Sequence, residues 1–292
     1  MDEKSGAIGI SEGLAFSGQG TSVLLGDLYR PAGRGPHPVM VAVHGGGWGQ
    51  GSRSCYRDWG RCLAANGFAL FAVDRRHFKP DEAIYPRVIE DVQAAVRHLR
   101  SHAASFDLDP RRMGLMGDSS GGYLAALAGL VAAGAPPLPD RDTPCGEDAG
   151  REAQPASAAV RVVVAFYGVF DLAAEWNFEQ VARPFDRVTE RLLGVPLVDD
   201  RRRYFDASPI AYATRDRNHV AFFLAWGTAD EVVSEELHSR PFARTLAQAG
   251  FNVHTAIVPS AQHYWATEPH DDEMSPARLV APRLVRFLRD YL

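Results

Sequence analysis

The sequence predicts an α/β protein built on a mostly parallel sheet with helices on both faces. Three observations lead there. Short apolar runs alternate with longer segments whose apolar residues recur at helical spacing. Most of those runs are continuously apolar, as expected of parallel strands covered on both sides. Two of them end in glycine-rich turns, where a parallel sheet exposes its functional edge.

The elements follow in order. Val23 to Tyr29 reads as an early strand, and Val39 to Val43 is an apolar run that leads into His44 and three glycines. Arg57 to Ala65 reads as a helix closed by Asn66-Gly67, a C-cap signal. Phe68 to Val73 is the next strand. Arg87 to Ala104 carries Val88, Val92, Ala95, Val96 and Leu99 as a helical stripe, ended by Asp107-Leu108-Asp109-Pro110. Met113 to Met116 is a third apolar run, followed at once by Gly117-Asp118-Ser119-Ser120-Gly121-Gly122 and an Ala/Leu-rich helix to about Ala133. Further strands are expected at Val160 to Tyr167, Val220 to Trp226 and Val253 to Val258, with a closing helix from about Ser275 to Leu292. The pattern describes one domain over residues 1–292. Residues 134–157, rich in Pro, Gly, Asp and Ala, read as a surface loop. Residues of about 172–207 interrupt the strand series and read as a largely helical cap over the ligand edge. No internal repeat is visible.

Composition narrows the function classes. The chain has 292 residues, 46% hydrophobic and 23% charged, with a formal charge of −5. That is ordinary globular composition. It offers no basic stripe for neutralising phosphates, so no nucleic-acid partner is expected. No apolar stretch is long enough for a transmembrane helix, and Met1 to Ser5 is polar, unlike a signal peptide. The three cysteines lack CxxC spacing and read as reduced thiols, which with the missing signal suggests a cytoplasmic protein. No metal site is expected; His98 and His102, one helical turn apart, lack a matching carboxylate motif.

Gly117-Asp118-Ser119-Ser120-Gly121 fits G-x-S-x-G between a strand and a helix, the context in which a serine is thrust out on a sharp turn. Glycines two residues either side of Ser119 supply the room such a turn needs. Ser120 would have Asp118 at the first of those places, so the register selects Ser119. The alternative reading is a glycine-rich turn with a merely exposed serine. The earlier His44-Gly45-Gly46-Gly47-Trp48 lets backbone approach a ligand and aim N–H groups at it. Such donors can stabilise an oxyanion. A flexible loop or a phosphate cradle is the alternative, although no GxGxxG or Walker lysine accompanies it.

A nucleophilic serine needs a base, and the base needs an orienting carboxylate. Asp230 follows the strand Val220 to Trp226, at the edge where such sheets place their sites. His263 follows the strand Val253 to Val258 by a short loop. Asp171 is the alternative acid, because it also follows a strand. Asp118 is badly aimed for that role. His254 lies inside a strand, and His270 in an acidic run that reads as a solvated loop.

The set His44–Trp48, Gly117–Gly122, Gly227–Val233 and His263 resembles the α/β-hydrolase superfamily. It is most similar to the small bacterial esterases near the hormone-sensitive-lipase group, including acetyl- and feruloyl-esterase-like members. The likeness runs from about Asp27 to the C-terminus and includes Phe166-Tyr167-Gly168 and Ala207-Ser208-Pro209-Ile210. The resemblance implies an eight-stranded sheet, with Ser119 as nucleophile, His263 as general base then acid, and Asp230 as its orienter. It implies an oxyanion hole from the N–H groups of Gly46, Gly47 and Ser120. The expected activity is hydrolysis of a small acyl or aryl ester through an acyl-enzyme, with no cofactor. Many relatives have Ala where Ser120 stands and a smaller residue after the histidine than Tyr264-Trp265. Trp48, Tyr123, Trp176, Phe178, Tyr264 and Trp265 are candidate pocket walls, with core or cap packing as the alternative. The same triad can serve a formamidase, a peptidase, or an acyl-transfer or cyclisation enzyme. A non-catalytic receptor on this fold usually lacks the serine or histidine, and both are present here. Sheet edges and the last helix are plausible homodimer surfaces.

Overall fold

The continuous apolar runs become the interior strands of one sheet. The computed structural model describes residues 7–18, 23–134 and 157–292. Its strands are β1 (Gly9–Ser17), β2 (Leu24–Arg30), β3 (His37–Val43), β4 (Ala69–Val73), β5 (Leu108–Asp118), β6 (Val162–Phe166), β7 (Ala221–Gly227) and β8 (Val253–Val258). They lie in the order β1-β2-β4-β3-β5-β6-β7-β8. β2 pairs antiparallel with both β1 and β4, and the remaining pairs are parallel. Every residue of β4, β6 and β7 is buried, so the sheet is covered on both faces there. Each buried Val, Leu or Phe contributes roughly 1.5–3 kcal/mol over its exposed state.

The helices are α1 (Arg57–Ala65), α2 (Arg87–Ser101), α3 (Ser120–Ala132), α4 (Leu172–Ala182), α5 (Val188–Leu193), α6 (Arg201–Asp206), α7 (Ser239–Gln248) and α8 (Pro276–Tyr291). α1 packs on β2 and β4, α3 on β5 and β6, and α8 on β7 and β8. α3 is buried all round except at Val131, which explains why its sequence shows no polar face. The stretch 172–207 holds the three short helices α4, α5 and α6. The expected loop at 134–157 lies almost wholly outside the described residues, as does Cys145. Cys55 and Cys62 are free thiols. Among the described residues no helix is long and apolar enough to cross a membrane.

Three local features differ from the sequence reading. β1 was not expected, because it is a half-exposed edge strand whose alternation is broken by register shifts against β2. α7 was also not foreseen. The helix expected over 87–104 stops at Ser101, and a separate 3-10 turn, Ala103–Phe106, follows. Asp107 then takes a left-handed conformation (φ 54°) and Leu108 already belongs to β5. Asp109 stabilises that beginning by accepting hydrogen bonds from Arg111 N at 2.9 Å and Arg112 Nε at 2.8 Å.

Candidate active site

β5 hands over to α3 at Ser119, whose backbone sits at φ 52°, ψ −122°. A non-glycine residue there stores about 1–3 kcal/mol of strain. The surroundings hold it in place. Ser119 N–H donates to the Phe166 carbonyl at 2.9 Å, and Tyr123 N–H donates to the Ser119 carbonyl at 3.0 Å. A Cβ on Gly117 would strike the Gly121 carbonyl, and one on Gly121 would strike the Val43 carbonyl. Glycine at both positions is therefore a packing requirement of this turn. Asp118 points away into the interior, where its Oδ1 accepts from Gly45 N–H and Tyr56 Oη–H, both at 3.0 Å. Burial pushes its carboxyl above the usual range despite those donors.

Asp230 and His263 stand on loops at the carboxyl ends of β7 and β8. The loops are tied by Ala229 N–H to the Ala261 carbonyl at 3.0 Å and by Ser260 N–H to Thr228 Oγ1 at 2.9 Å. Asp230 Oδ1 accepts from Val232 and Val233 N–H, both at 2.9 Å. Its Oδ2 is left 2.7 Å from His263 Nδ1, and His263 Nε2 is 2.9 Å from Ser119 Oγ. Asp230 can only accept, so Nδ1 carries the proton and Nε2 is free to receive the Ser119 hydroxyl hydrogen. The Tyr167 and Tyr264 rings each lie 4.5 Å from the imidazole. Both partners are nearly sealed from water, with side-chain exposures of 3% for His263 and 1% for Asp230.

The rival residues have other partners. Asp171 caps α4, accepting from Ala173 and Ala174 N–H. His254 lies 3.1 Å from Tyr291 Oη. His270 is not simply solvated: its ring meets Trp59 edge-on at 4.6 Å. His98 and His102 stack on one another at 4.5 Å. Among the described residues no group of three or more His, Cys, Asp or Glu is placed to hold a metal.

The glycine loop after β3 runs beside Ser119, with Gly46 at φ 100° and Gly47 at φ 55°. Gly49 and Gln50 N–H both donate to the Gly46 carbonyl at 3.1 Å. Gly46, Gly47 and Ser120 line the cleft with Ser119. Ser120 begins α3, where backbone N–H groups have no partner within the helix. Its side chain accepts from Trp48 N–H at 3.3 Å. Behind the loop lies a residue that sequence reasoning missed. Arg75 is only 3% exposed and donates to the carbonyls of Gly45 at 2.9 Å, Trp48 at 3.2 Å and His44 at 3.4 Å. Burial pulls its guanidinium down to about 10, so it remains charged at neutral pH. His44 donates from Nδ1 to the Gly45 carbonyl at 2.8 Å, and burial pulls its imidazole down to about 3. The only trace of Arg75 in the sequence is a basic residue soon after a strand.

The cleft encloses about 390 Å³. Among the aromatic residues expected to line it, Trp48 and Tyr264 do so. Tyr123, Trp176, Phe178 and Trp265 do not, which corrects that expectation. Tyr123 is buried edge-on to Trp48 at 5.2 Å. Trp265 packs inward on Phe166 and Tyr167, 5.4 Å from each ring. Trp176 donates from Nε1 to Glu190 at 2.8 Å, and Phe178 lies under the Arg183 guanidinium at 5.4 Å. Charged Glu175, Glu179, Arg183, Asp186 and Arg191 line the cleft as well, beside Phe78, Val169, Val188, Val232 and Val233. Burial pushes the Glu179 carboxyl up, and Thr189 N–H and Oγ1–H hydrogen-bond it.

Comparison with known proteins places this geometry. Thermogutta terrifontis esterase 2, solved phosphoramylated by tabun, superposes over 99% of this chain and 96% of its own, at a TM-score of 0.72 and 22% identity. A truncated carbohydrate esterase from gut microbiota superposes at a TM-score of 0.75 and 22% identity, covering 99% and 98%. These establish the α/β-hydrolase fold. Esterase LipC of Mycobacterium tuberculosis is 33% identical over 232 residues, or 78% of this chain and 53% of that protein. Esterase LipQ of the same organism is 30% identical over 229 residues, 77% and 50%. The match thus spans about half the length of those relatives. Residues 26–246 match the BD-FAE family model, and the chain belongs to the BD-FAE family.

Proposed function

We propose that the chain is a serine carboxylesterase acting on small acyl or aryl esters. The observation that carries this reading is the unbroken hydrogen-bond chain from Asp230 through His263 to Ser119. Ser119 Oγ gives its proton to His263 Nε2 and adds to the ester carbonyl carbon. The resulting oxyanion faces the N–H groups of Gly46, Gly47 and Ser120, each such donor typically worth about 2.7–4 kcal/mol of barrier. The intermediate collapses as the C–O bond to the alcohol breaks, and His263 protonates that leaving oxygen. Water then loses a proton to His263 and attacks the acyl-enzyme, and Ser119 regains its proton as the acid departs. Asp230 keeps the imidazole in the tautomer that both halves need.

The names of the mycobacterial relatives support ester hydrolysis as the reaction class. In this reading the chain works as one domain, and α4 to α6 form a cap over the cleft. The presence of Glu175, Glu179 and Val188 in the cleft wall supports that role. The test is hydrolysis of p-nitrophenyl acetate and butyrate by wild type and Ser119→Ala, with formamide and aminoacyl-amide substrates alongside. Ester turnover that falls by about 10⁴ or more in the variant is the expected result. Turnover of amides or formamides alone would replace the ester assignment.

A further inference from the structure

The His263 ring has hydrogen bonds at two points, to Asp230 through Nδ1 and to Ser119 through Nε2. Two such bonds fix the line between the nitrogens and leave the ring able to turn about it. Packing must supply the rest. Two rings lie 4.5 Å from the imidazole, those of Tyr167 and Tyr264. Tyr264 is 57% exposed and has water to move into, whereas Tyr167 is 1% exposed. Only Tyr167 can act as a fixed stop.

Tyr167 is itself held on several sides. Its backbone is left-handed at φ 39°, a conformation that a non-glycine residue keeps only where its surroundings fix it. Its N–H donates to the Ala225 carbonyl at 2.7 Å, and its ring meets Trp265 edge-on at 5.4 Å. Its Oη accepts from Ala266 N–H at 3.1 Å. The Ala266 carbonyl accepts from Trp59 Nε1 at 2.7 Å. Both polar groups of Ala266, three residues beyond His263, are thus pinned by buried rings. The preceding residue, Phe166, accepts from Ser119 N–H at 2.9 Å. The end of β6 therefore touches the backbone of Ser119 through Phe166 and the ring of His263 through Tyr167. Tyr167 is not among the residues that line the Ser119 cleft.

We infer that Tyr167 is a positioning residue, which sets the His263 imidazole in line with Ser119 Oγ. The inference rests on the reading of His263 as the base for Ser119. The experiment measures the rate constant of fluorophosphonate labelling at Ser119 in wild type, Tyr167→Leu, Tyr167→Phe, His263→Ala and Tyr167→Leu/His263→Ala. A rate constant counts only protein that reacts, so a smaller folded fraction does not lower it. Tyr167→Leu removes the stop and should slow labelling about 10²-fold, the scale expected for a misplacement of about 1 Å. Tyr167→Phe keeps the ring and should recover at least about tenfold of that loss. KM for p-nitrophenyl acetate should stay within about twofold in both, because Tyr167 lies outside the cleft wall. In the His263→Ala background, Tyr167→Leu should change the rate by less than about threefold, since the residue it positions is gone. A Tyr167→Leu rate within twofold of wild type, or an equal loss in both backgrounds, would overturn the inference and leave the roles of Ser119 and His263 standing. Labelling of wild type that is indifferent to His263→Ala would overturn both.

Discussion

Arg75 Nη2 donates to the Gly45 carbonyl at 2.9 Å from inside the molecule, so the glycine loop beside Ser119 is braced from behind by a buried cation. Arg75→Met would remove these donors, although the Gly45 carbonyl keeps His44 Nδ1–H and the Trp48 carbonyl keeps Phe78 N–H. The lost hydrogen bonds should together cost about 1–3 kcal/mol. In the proposed mechanism, loss of a fixed loop should also lower ester turnover on the order of 10²-fold, because oxyanion donors work only when preplaced. Arg75→Lys should recover little of this, since a single ammonium cannot span carbonyls reached by three guanidinium nitrogens. Urea midpoints and ester kcat measured on both variants check the pair of effects. Wild-type turnover in Arg75→Met would show that the loop holds itself.

His44 makes acid stability measurable. Its ordinary value is 6.5 and burial lowers it to about 3 in the folded protein. Between those two pH values the unfolded chain binds a proton that the folded chain refuses. Stability supplied by the neutral imidazole is therefore present above 6.5 and lost as pH falls toward 3, at about 1 kcal/mol or slightly more per pH unit. His44→Asn removes this titration. Its stability deficit relative to wild type, followed by urea unfolding from pH 7 to pH 4, should shrink as pH falls. A deficit constant across that range would mean that the imidazole titrates normally.

Gly121→Ala tests the packing of the elbow. Its new Cβ would collide with the Val43 backbone carbonyl, which cannot rotate away. Overpacking of this kind costs about 1–3 kcal/mol and more where backbone must shift. Here the shift must pass through β3, which leads into the glycine loop. The expected result is a loss of at least about 3 kcal/mol in chemical unfolding, with little or no turnover from whatever remains folded. A stable, active Gly121→Ala protein would contradict the close approach of α3 to β3.

Glu175 ties the α4–α6 segment to the body. Its carboxylate pairs with Arg183 at 2.6 Å and with His238 Nε2 at 2.9 Å, and His238 Nδ1 accepts from Phe170 N–H at 3.3 Å. Removing the carboxylate leaves the buried His238 Nε2–H without its acceptor, while Arg183, 27% exposed, keeps access to water. Glu175→Ala should cost about 1–3 kcal/mol of stability. A double-mutant cycle with His238→Ala should give a coupling of at least about 1 kcal/mol, and additive losses would show that the contact carries no energy of its own.

Much of this is legible in the sequence, for identifiable reasons. Buried parallel strands must be apolar on both faces, so β3, β4, β6 and β7 announce themselves. The turn at Ser119 tolerates no Cβ at Gly117 or Gly121, so its register was readable. β1 was not, because an edge strand facing solvent has no reason to keep a clean alternation. The pocket aromatics misled because composition tells nothing of direction: Tyr264 turns out to the cleft and the next residue, Trp265, turns inward. Arg75 left no pattern, since one buried arginine satisfied by carbonyls looks in sequence like any surface arginine. The charged cleft residues Glu175, Glu179 and Arg183 were hidden for the same reason.

The most direct test of the central claim is the rate of fluorophosphonate labelling, followed by intact mass and peptide mapping, on wild type, Ser119→Ala and His263→Ala. The probe reports nucleophilicity at one oxygen without needing the natural substrate. One adduct per chain is expected, located on Ser119, absent from Ser119→Ala and slower by about 10³-fold or more in His263→Ala. Folded wild type that takes no label, or a labelling rate indifferent to His263, would contradict the assignment of Ser119 as a nucleophile activated by His263.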